Sequence, residues 1–235
     1  KFTNPFVAKF INPFVAMISV AENATVSILV VEILSAAKLS VWKLLVITVV
    51  ADIYESVLAP TPILEVIIQD MVGMYNHFNF TEQEIDIEFT TYNKASPIKY
   101  KFKIIEVRPV VPEQNGKGIK YKLTGITEEA FKSSNIQDFP FMRQNFEASD
   151  AVANIVEKIL ESKKPLFLEK TKGLHTFGKS KINPFKAIDD IRKVSISTQY
   201  DGSAFVFYEN NRGFHFKSLE KIIEESKKNI GDKIF

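Results

Sequence analysis

Two strongly apolar runs flank an acidic, proline-containing stretch in the first half of the chain. The runs cover residues 46–50 and 63–68 and consist mainly of β-branched residues, which favour strands. The stretch between them, residues 52–62, contains Pro60 and Pro62, which cannot donate backbone hydrogen bonds to a neighbouring strand. The pattern predicts a strand, an irregular acidic corner and a second strand. Because both strands are too apolar to stay exposed, the corner is the part left for a partner.

Three later stretches alternate between charged and apolar residues. Residues 84–89 place carboxylates on one face of a predicted strand, and residues 99–107 and 119–124 place lysines on one face. Ile119, Tyr121 and Leu123 are predicted to point inward. The alternation breaks at Ile104 and Ile105, which predicts a β-bulge, and Pro109 and Pro112 are predicted to end that strand. The lysine face would suit DNA or an acidic protein surface, although simple solvation is the plainer interpretation.

Helical periodicity dominates the second half. The clearest helix covers residues 149–162, where five apolar residues share one stripe: Val152, Ile155, Val156, Ile159 and Leu160. Shorter helices are predicted over residues 127–134, 183–193 and 219–230, the last being amphipathic through Leu219, Ile222, Ile223 and Ile230. A hairpin is predicted over residues 204–217. The chain is therefore predicted to be α+β, with strands first and helices later.

The triplet Asn-Pro-Phe occurs three times, beginning at Asn4, Asn12 and Asn183. Such triplets serve as recognition peptides in some trafficking proteins. Asn-Pro also favours turns and helix starts for purely local reasons, and the third copy opens a predicted helix. We therefore interpret all three as turn or helix-start signals.

Composition narrows the classes of protein. A length of 235 residues allows one large β-rich domain or two smaller ones. The net charge of +2 gives no broad attraction to nucleic acid, and the lack of cysteine excludes disulfides and thiolate metal sites. Charged residues interrupt every apolar run well before the roughly 20 residues that a membrane helix needs. A soluble chain without a signal peptide or stable membrane insertion is expected.

One segment carries the spacing of a phosphate-binding loop, GxxxxGK[ST]. It covers residues 173–180, with Gly173, Gly178, Lys179 and Ser180 at the motif positions. Such a loop needs a buried strand before it and a helix that begins at the lysine. Residues 166–170 form at best a short charged strand, and Pro184 would interrupt the helix. A nucleotide-binding enzyme therefore remains only an alternative.

Other catalytic chemistry lacks a sequence signal. None of His77, His175 and His215 has a metal-ligating neighbour three or four residues away, and the chain contains no GxSxG motif. We predict no catalytic, cofactor-binding or metal-binding residues and no cofactor. The sequence favours a structural or interaction protein over an enzyme.

The order of several segments resembles the N-terminal barrel region of phage baseplate hub proteins. The segments are DIYESVLAPTPILEVIIQDMVGM, TEQEIDIEFTT, IKYKFKIIEVRPV, KYKLTGITEEAFKSS, NPFKAIDDIRKVSIS and GSAFVFYENNRGFHFKSLEKI. Together they cover about residues 41–223. The last resembles the hairpin pattern FFEN-x-x-GF-x-F-x-SL of that family. The same family is related to the hub part of type VI secretion spike proteins.

The resemblance implies a specific fold and role. The implied fold is α+β, with an antiparallel tube-type β-barrel followed by a mixed helix and hairpin domain. The corresponding domains are residues 1–40 (N-terminal extension and first strand), 41–126 (barrel) and 127–235 (helix-rich domain).

The implied function is non-enzymatic. The chain would form a homotrimeric hub ring that joins the tail tube, or a tube-initiator protein, to the central spike beside other baseplate proteins. DNA would pass through the lumen as cargo only. The protein would reside in the virion tail baseplate after assembly in the host cytoplasm. The alternative within the same machinery is another tube-initiating or tail-tip protein.

Overall fold

The protein divides into two compact units. The computed structural model describes residues 4–9, 14–20, 27–33, 47–70, 75, 79–89, 98–110, 119–137, 139–201 and 204–231. The first unit consists of Lys1–Tyr54 and Ile63–Glu128, and the second of Glu55–Pro62 and Glu129–Phe235. The predicted domain boundaries after residues 40 and 126 stay predictions.

The first unit is built from antiparallel strands. They are β1 (Asn4–Lys9), β2 (Phe14–Val20), β3 (Ser27–Ile33), β4 (Ile47–Tyr54), β5 (Ile63–Asp70), β6 (Glu84–Phe89), β7 (Ile98–Val110) and β8 (Ile119–Thr127). Their hydrogen-bonded order is β1-β2-β3-β4-β5-β8-β7-β6, and β1 also pairs with β6. Every one of these strands therefore has two neighbours. The predicted antiparallel character of this half is confirmed.

Alternation along the strands creates the core of the first unit. On β5 the residues Leu64, Val66 and Ile68 are buried, whereas Ile63 and Ile67 face outward. On β8 the predicted inward residues Tyr121 and Leu123 are 0% and 1% exposed. Burying each of these aliphatic side chains contributes roughly 1.5–3 kcal/mol relative to leaving it in water. Other residues of this core are Phe80, Ile85, Ile87, Phe102 and Ile104.

The register of β7 confirms one prediction and corrects another. The pairing of β7 with β8 shifts between Ile104 and Glu106, where the broken alternation predicted a bulge. Of the two prolines predicted to end the strand, Pro109 does not, since it lies opposite Tyr121 inside the ladder. The strand ends at Val110, and Pro112 lies outside the described residues. Beyond Lys103, β7 pairs with β8 but not with β6 among the described residues. Proline has no N–H group to donate, so Pro109 is tolerated at a position where only one side of the strand is paired.

The acidic corner is shorter than predicted. Strand β4 continues to Tyr54, and Asp52 lies opposite Glu65 on β5. The corner is therefore residues 55–62, and we keep that definition below. Charged residues remain in the strand because they alternate with Ala51 and Ile53, which pack against the core.

The Asn-Pro-Phe triplets divide between two structures. The first triplet lies inside β1, so the turn prediction is wrong there. Pro5 is paired with β2, but the pairing of β1 with β6 begins only at Phe6. The second begins at residues outside the described ranges. The third opens a helix as predicted: the side chain of Asn183 accepts a hydrogen bond from the Lys186 amide at 2.8 Å, and Pro184 is the first helical residue.

The second unit mixes helices with short sheets. Its helices are α1 (Glu128–Asn135), α2 (Ala148–Asn154) continuing as a π-helix (Ile155–Ile159), α3 (Pro184–Arg192) and α4 (Leu219–Gly231). Its strands are β9 (Phe139–Phe146), β10 (Leu166–Leu168), β11 (Thr171–Lys172), β12 (His175–Ile182), β13 (Ile196–Ser197), β14 (Phe205–Asn210) and β15 (Gly213–Ser218). They form three sheets, ordered β10-β15-β14, β11-β13 and β12-β9. The predicted mixed α+β class is confirmed for the chain as a whole.

Aromatic residues of the hairpin β14–β15 form the centre of the second core. Phe207 stacks on Phe214 with ring centroids 5.4 Å apart, and Phe205 and Phe216 lie 4.9 Å apart. The predicted helical stripe covers them with the fully buried residues Val152, Ile155 and Val156. The hairpin predicted over residues 204–217 is confirmed.

Helix α4 differs from its sequence pattern. Its apolar residues Leu219 and Ile223 are 39% and 53% exposed rather than buried. Lys217 of β15 instead reaches Glu225 of α4 at 2.7 Å, so an ion pair joins the helix to the sheet. Among the described residues, no helix has the length and apolarity to cross a membrane.

Candidate functional site

The predicted basic sheet surface is balanced by carboxylates. The register of β6 against β7 sets Glu84, Asp86 and Glu88 opposite Lys103, Lys101 and Lys99. Lys101 forms an ion pair with Glu84 at 2.7 Å, and the hydrogen bond to Glu84 raises the pKa of the lysine. The two sequence patterns that look like separate acidic and basic faces therefore belong to one mixed-charge face.

The phosphate-loop motif does not adopt the conformation that nucleotide binding needs. Gly173 has a φ of +91°, and from His175 to Ile182 the backbone is strand β12. Lys179 lies opposite Phe141 of β9 within that strand. A phosphate loop would turn through these residues and begin a helix at the lysine, so that backbone amides converge on the phosphate. The motif match is therefore a coincidence of spacing.

The corner, residues 55–62, borders a cavity inside the second unit. The cavity has a volume of about 290 Å³. Its apolar lining comes from Leu58, Pro60, Phe185 and Phe207, and its polar lining from Asn183, Lys186, Asp189 and Arg192. Leu58 is 79% exposed, which leaves a large apolar side chain in solvent at the edge of the cavity. The cavity is the candidate functional site of the second unit.

Helix α3 supplies one wall of this cavity. The Asn183 cap fixes the start of the helix, and the Phe185 amide donates a hydrogen bond to Ser133 Oγ of α1 at 3.1 Å. The apolar residues Ala187, Ile188 and Ile191 are buried in the core. The polar residues of the helix line the cavity instead, because side chains three residues apart are neighbours on a helix surface. They are Asn183, Lys186, Asp189 and Arg192.

A charge network lines this side of α3. Asp189 accepts hydrogen bonds from Arg192 Nε at 2.7 Å, Lys193 Nζ at 2.7 Å and Lys186 Nζ at 3.1 Å. The hydrogen bond from Lys193 is the largest of the effects that hold the pKa of Asp189 well below its usual range. A carboxylate held ionised by three cations is a poor proton carrier. The arrangement suits binding rather than acid–base chemistry.

The Asp189→Asn substitution is expected to lower the free energy of unfolding at pH 7 by about 1 kcal/mol, because it weakens three ion pairs at once. The lowered pKa means that the stabilisation is present above the ordinary aspartate pKa of about 3.9 and is lost as the pH falls below it. Urea unfolding of both proteins between pH 7 and pH 3 measures the difference, which should shrink toward acid pH.

Asp150→Asn is the matched control, since Asp150 is 60% exposed and lies 3.6 Å from Lys170. It should change the unfolding free energy by less than about 0.5 kcal/mol. A pH-independent difference between wild type and Asp189→Asn would contradict the role given to the carboxylate.

His215, whose pKa is lowered, is packed between aromatic rings of the second unit. His215 is stacked between Phe167 and Tyr208, with ring centroids 4.7 and 4.8 Å away. Burial lowers the pKa of His215 to about 4, so the ring is neutral at pH 7. Its Nε2 lies 3.0 Å from Asn210 Oδ1. In the part of the chain that the structure describes, no group of three His, Asp or Glu residues is placed to hold a metal ion.

Comparison with known proteins gives structural neighbours. No protein-family model and no curated protein match the chain. The 43 kDa tail protein of prophage MuSo2 from Shewanella oneidensis aligns with 73% of this chain and 53% of its own length, at 11% identity and a TM-score of 0.49. A tail protein from Neisseria meningitidis MC58 aligns with 71% of this chain and 44% of its own length, at 10% identity and a TM-score of 0.45.

A third neighbour comes from a secretion machine. An E. coli component of the type VI secretion system aligns with 66% of this chain and 41% of its own length, at 11% identity and a TM-score of 0.39. The chain therefore spans about half of the length of the solved structures with which it aligns.

Proposed function

We propose that this protein is a non-enzymatic structural component of a phage-type tail, and specifically a baseplate hub subunit. The observation that carries the proposal is the position of the hub-like sequence segments in the fold. The segments fall on β5, β8, β7 and β6, which are consecutive neighbours in one antiparallel sheet, and on the hairpin β14–β15. Segments that are far apart in the sequence are therefore neighbours in the sheet of the first unit, and the last segment forms the central hairpin of the second unit.

In the proposed role, three copies form a ring in the virion tail baseplate. The ring joins the tail tube, or a tube-initiator protein, to the central spike, and other baseplate proteins surround it. DNA passes through the lumen as cargo. Assembly takes place in the host cytoplasm before the ring enters the virion, and the first unit contributes a tube-type barrel to the ring.

Exposed apolar residues on the first unit support a role in assembly. Tyr54 and Ile63 lie opposite each other on β4 and β5 and are 54% and 42% exposed. Ile126 on β8 lies opposite Ile63, so the row crosses three strands. Apolar and aromatic side chains at the surface of a folded unit favour protein–protein contact. The mixed-charge face of β6 and β7 suits a partner that presents both signs of charge.

A related role within the same machinery is the second candidate. A tube-initiating or tail-tip protein would use a similar barrel and similar exposed rows. The two roles differ in their neighbours, because a hub contacts the central spike whereas a tube initiator does not.

Reconstitution with tube and spike proteins tests the hub proposal. We expect light scattering to give the mass of a trimer, and electron microscopy of the mixture to show a ring between tube and spike. The Tyr54→Glu, Ile63→Glu double variant should fail to form the ring while keeping a wild-type circular dichroism spectrum. The control variant Lys163→Glu, at an exposed position in the second unit, should assemble normally.

A strict monomer in the presence of both partners would overturn the hub proposal. A ring that binds the tube protein but not the spike protein would replace it with the tube-initiator role.

A further inference from the structure

Helix α4 exposes an apolar pair on the surface of the second unit. Leu219 and Ile223 are both exposed, and residues four positions apart are neighbours on a helix surface. Glu220 lies beside them in the first turn of α4, and its Oε2 is buried without a hydrogen-bond partner among the described residues. The first half of α4 therefore combines two exposed apolar side chains with a carboxylate whose acceptor capacity is not filled.

The cavity beside the corner has spare hydrogen-bond donors. A lysine ammonium carries three N–H groups and an arginine guanidinium five. Among the described residues, Lys186 Nζ donates to Asp189 at 3.1 Å and lies 3.8 Å from Asp190. Arg192 donates from Nε to Asp189 at 2.7 Å and from Nη1 to the Phe205 carbonyl at 3.5 Å, and its Nη2 lies 2.7 Å from Asp189. Both cations therefore keep N–H groups for an incoming carboxylate, whereas Asp189 already accepts from three cations.

The size and the rim of the cavity favour side chains of a protein over a small molecule. The volume of about 290 Å³ lies just below the roughly 300–1,000 Å³ of pockets that enclose small ligands. Leu58 at the rim and the neighbouring Val57 are both exposed, so apolar surface continues beyond the cavity onto the corner. A polypeptide segment covers the cavity and this rim together, whereas a small ligand inside the cavity leaves the rim in solvent.

The cavity and helix α4 lie on opposite faces of the sheet β10-β15-β14. Phe207 and Phe216 point into the second core with Ile188 of α3, and Phe207 also lines the cavity. Successive strand residues point to opposite faces, so Lys217 points away from that core, where it reaches Glu225 of α4 at 2.7 Å. Complementary surfaces on opposite faces do not meet within one molecule, but they meet between copies arranged head to tail.

We propose that the cavity of one copy binds the apolar pair of α4, Leu219 and Ile223, of a second copy of this chain. Glu220 of the second copy then lies beside Lys186 and Arg192 and accepts hydrogen bonds from them. The contact is heterologous, because each copy uses one surface toward one neighbour and the other surface toward the next. Such contacts close into a ring or continue as a filament, and closure at three copies rests on the proposed hub function.

Engineered disulfide cross-linking tests the contact directly, because the chain contains no cysteine. We expect a mixture of the Leu58→Cys and Ile223→Cys proteins, oxidised with copper phenanthroline, to give a dimer on a non-reducing denaturing gel. A disulfide requires the two Cα atoms to lie within about 7 Å, so only positions that meet across the contact are joined. Neither variant alone should form the dimer. The matched control replaces Ile223→Cys by Lys158→Cys, an exposed position on the π-helix of the second unit, and should give no dimer.

Charge reversal tests the role of Glu220. Adding Glu220→Lys to the Ile223→Cys protein should lower the yield of dimer at least ~10-fold. Adding Lys186→Glu to the Leu58→Cys protein as well should restore most of the yield, because the ion pair is then reversed rather than lost. The control Glu157→Lys, at an exposed position outside α4, should leave the yield unchanged. Circular dichroism spectra verify that each variant is folded.

Three results would overturn the proposal. They are absence of the mixed dimer, a dimer formed by Ile223→Cys alone, which would assign α4 to a symmetric contact with another α4, and equal yields with Ile223→Cys and Lys158→Cys. The gel reports a contact between isolated chains, so its failure leaves the test with tube and spike proteins unaffected. If the Leu58→Cys, Ile223→Cys double variant gives open chains instead of a covalent trimer, the contact stands and the trimer of the hub proposal fails.

Discussion

Gly213→Ala is expected to destabilise the second unit by about 4 kcal/mol, which places it among the most damaging single substitutions. Gly213 has a φ of +134°, a conformation that residues with a side chain rarely adopt. A Cβ atom there would lie 2.2 Å from the backbone oxygen of Pro165. That oxygen accepts a hydrogen bond from the Phe214 amide at 2.9 Å, where β15 meets β10. The substitution therefore strains the turn and separates two paired strands.

Urea unfolding followed by circular dichroism measures this effect. The matched control is Gly178→Ala, because a Cβ atom at Gly178 meets nothing within 4 Å. The control should change the unfolding free energy by no more than about 0.5 kcal/mol. Similar stabilities of the two variants would show that the close approach of Gly213 to Pro165 does not limit stability.

Lys164→Met is expected to cost about 3 kcal/mol of unfolding free energy, because it leaves two buried carboxylates without their cation. Lys164 Nζ lies 2.5 Å from Glu129 Oε2 and 2.5 Å from Glu209 Oε1, and the side chains of these glutamates are only 6% and 3% exposed. Burial lowers the pKa of Lys164, but the two carboxylates outweigh it and raise the pKa overall. The lysine therefore stays charged at neutral pH.

The triple variant Lys164→Met, Glu129→Gln, Glu209→Gln separates the loss of the charge from the loss of packing. It should recover a large part of the stability, since the uncompensated carboxylates are removed. The control Lys163→Met changes an exposed neighbour and should be almost neutral. Equal stabilities of Lys164→Met and Lys163→Met would show that the buried cluster contributes little.

The raised pKa of Lys164 also fixes the direction of a pH effect. A lysine whose folded pKa lies above its ordinary value stabilises the fold fully below that ordinary value, about 10.4, and loses the contribution as the pH rises through the folded pKa. The stability difference between wild type and Lys164→Met should therefore narrow only in strongly alkaline solution.

Local patterns were sufficient to predict much of the fold. Alternation along β8 predicts that Tyr121 and Leu123 point inward, and both side chains are buried. The break in the charged–apolar alternation predicts the bulge at Ile104. Asn183, followed by Pro184, predicts the start of α3. These features depend on residues close together in sequence, so the sequence contains the information needed to infer them.

Features that depend on residues far apart in the sequence are not predictable from local patterns. The charges of β6 and β7 predict two separate faces, whereas the strand register places Glu84 beside Lys101 on one face. Residues 173–180 matched a phosphate loop because spacing alone does not reveal that β9 pairs with β12. The cavity beside the corner was not foreseen, because Leu58 and Arg192 are separated by more than 130 residues. The sequence signal that points to this cavity is the corner, residues 55–62, which lies between two predicted strands and carries the apolar residues Leu58 and Pro60.

The α+β class, the inward faces of the central strands, the principal helices and the hairpin can all be predicted from local sequence patterns, because periodicity and capping act over a few residues. The tertiary structure decided which strands are neighbours, which charges neutralise one another and where Lys164 is buried between Glu129 and Glu209. It also replaced the supposed phosphate loop with strand β12. These features depend on chain segments that meet only when the core forms, since pairing and burial are set by contacts between residues far apart in sequence.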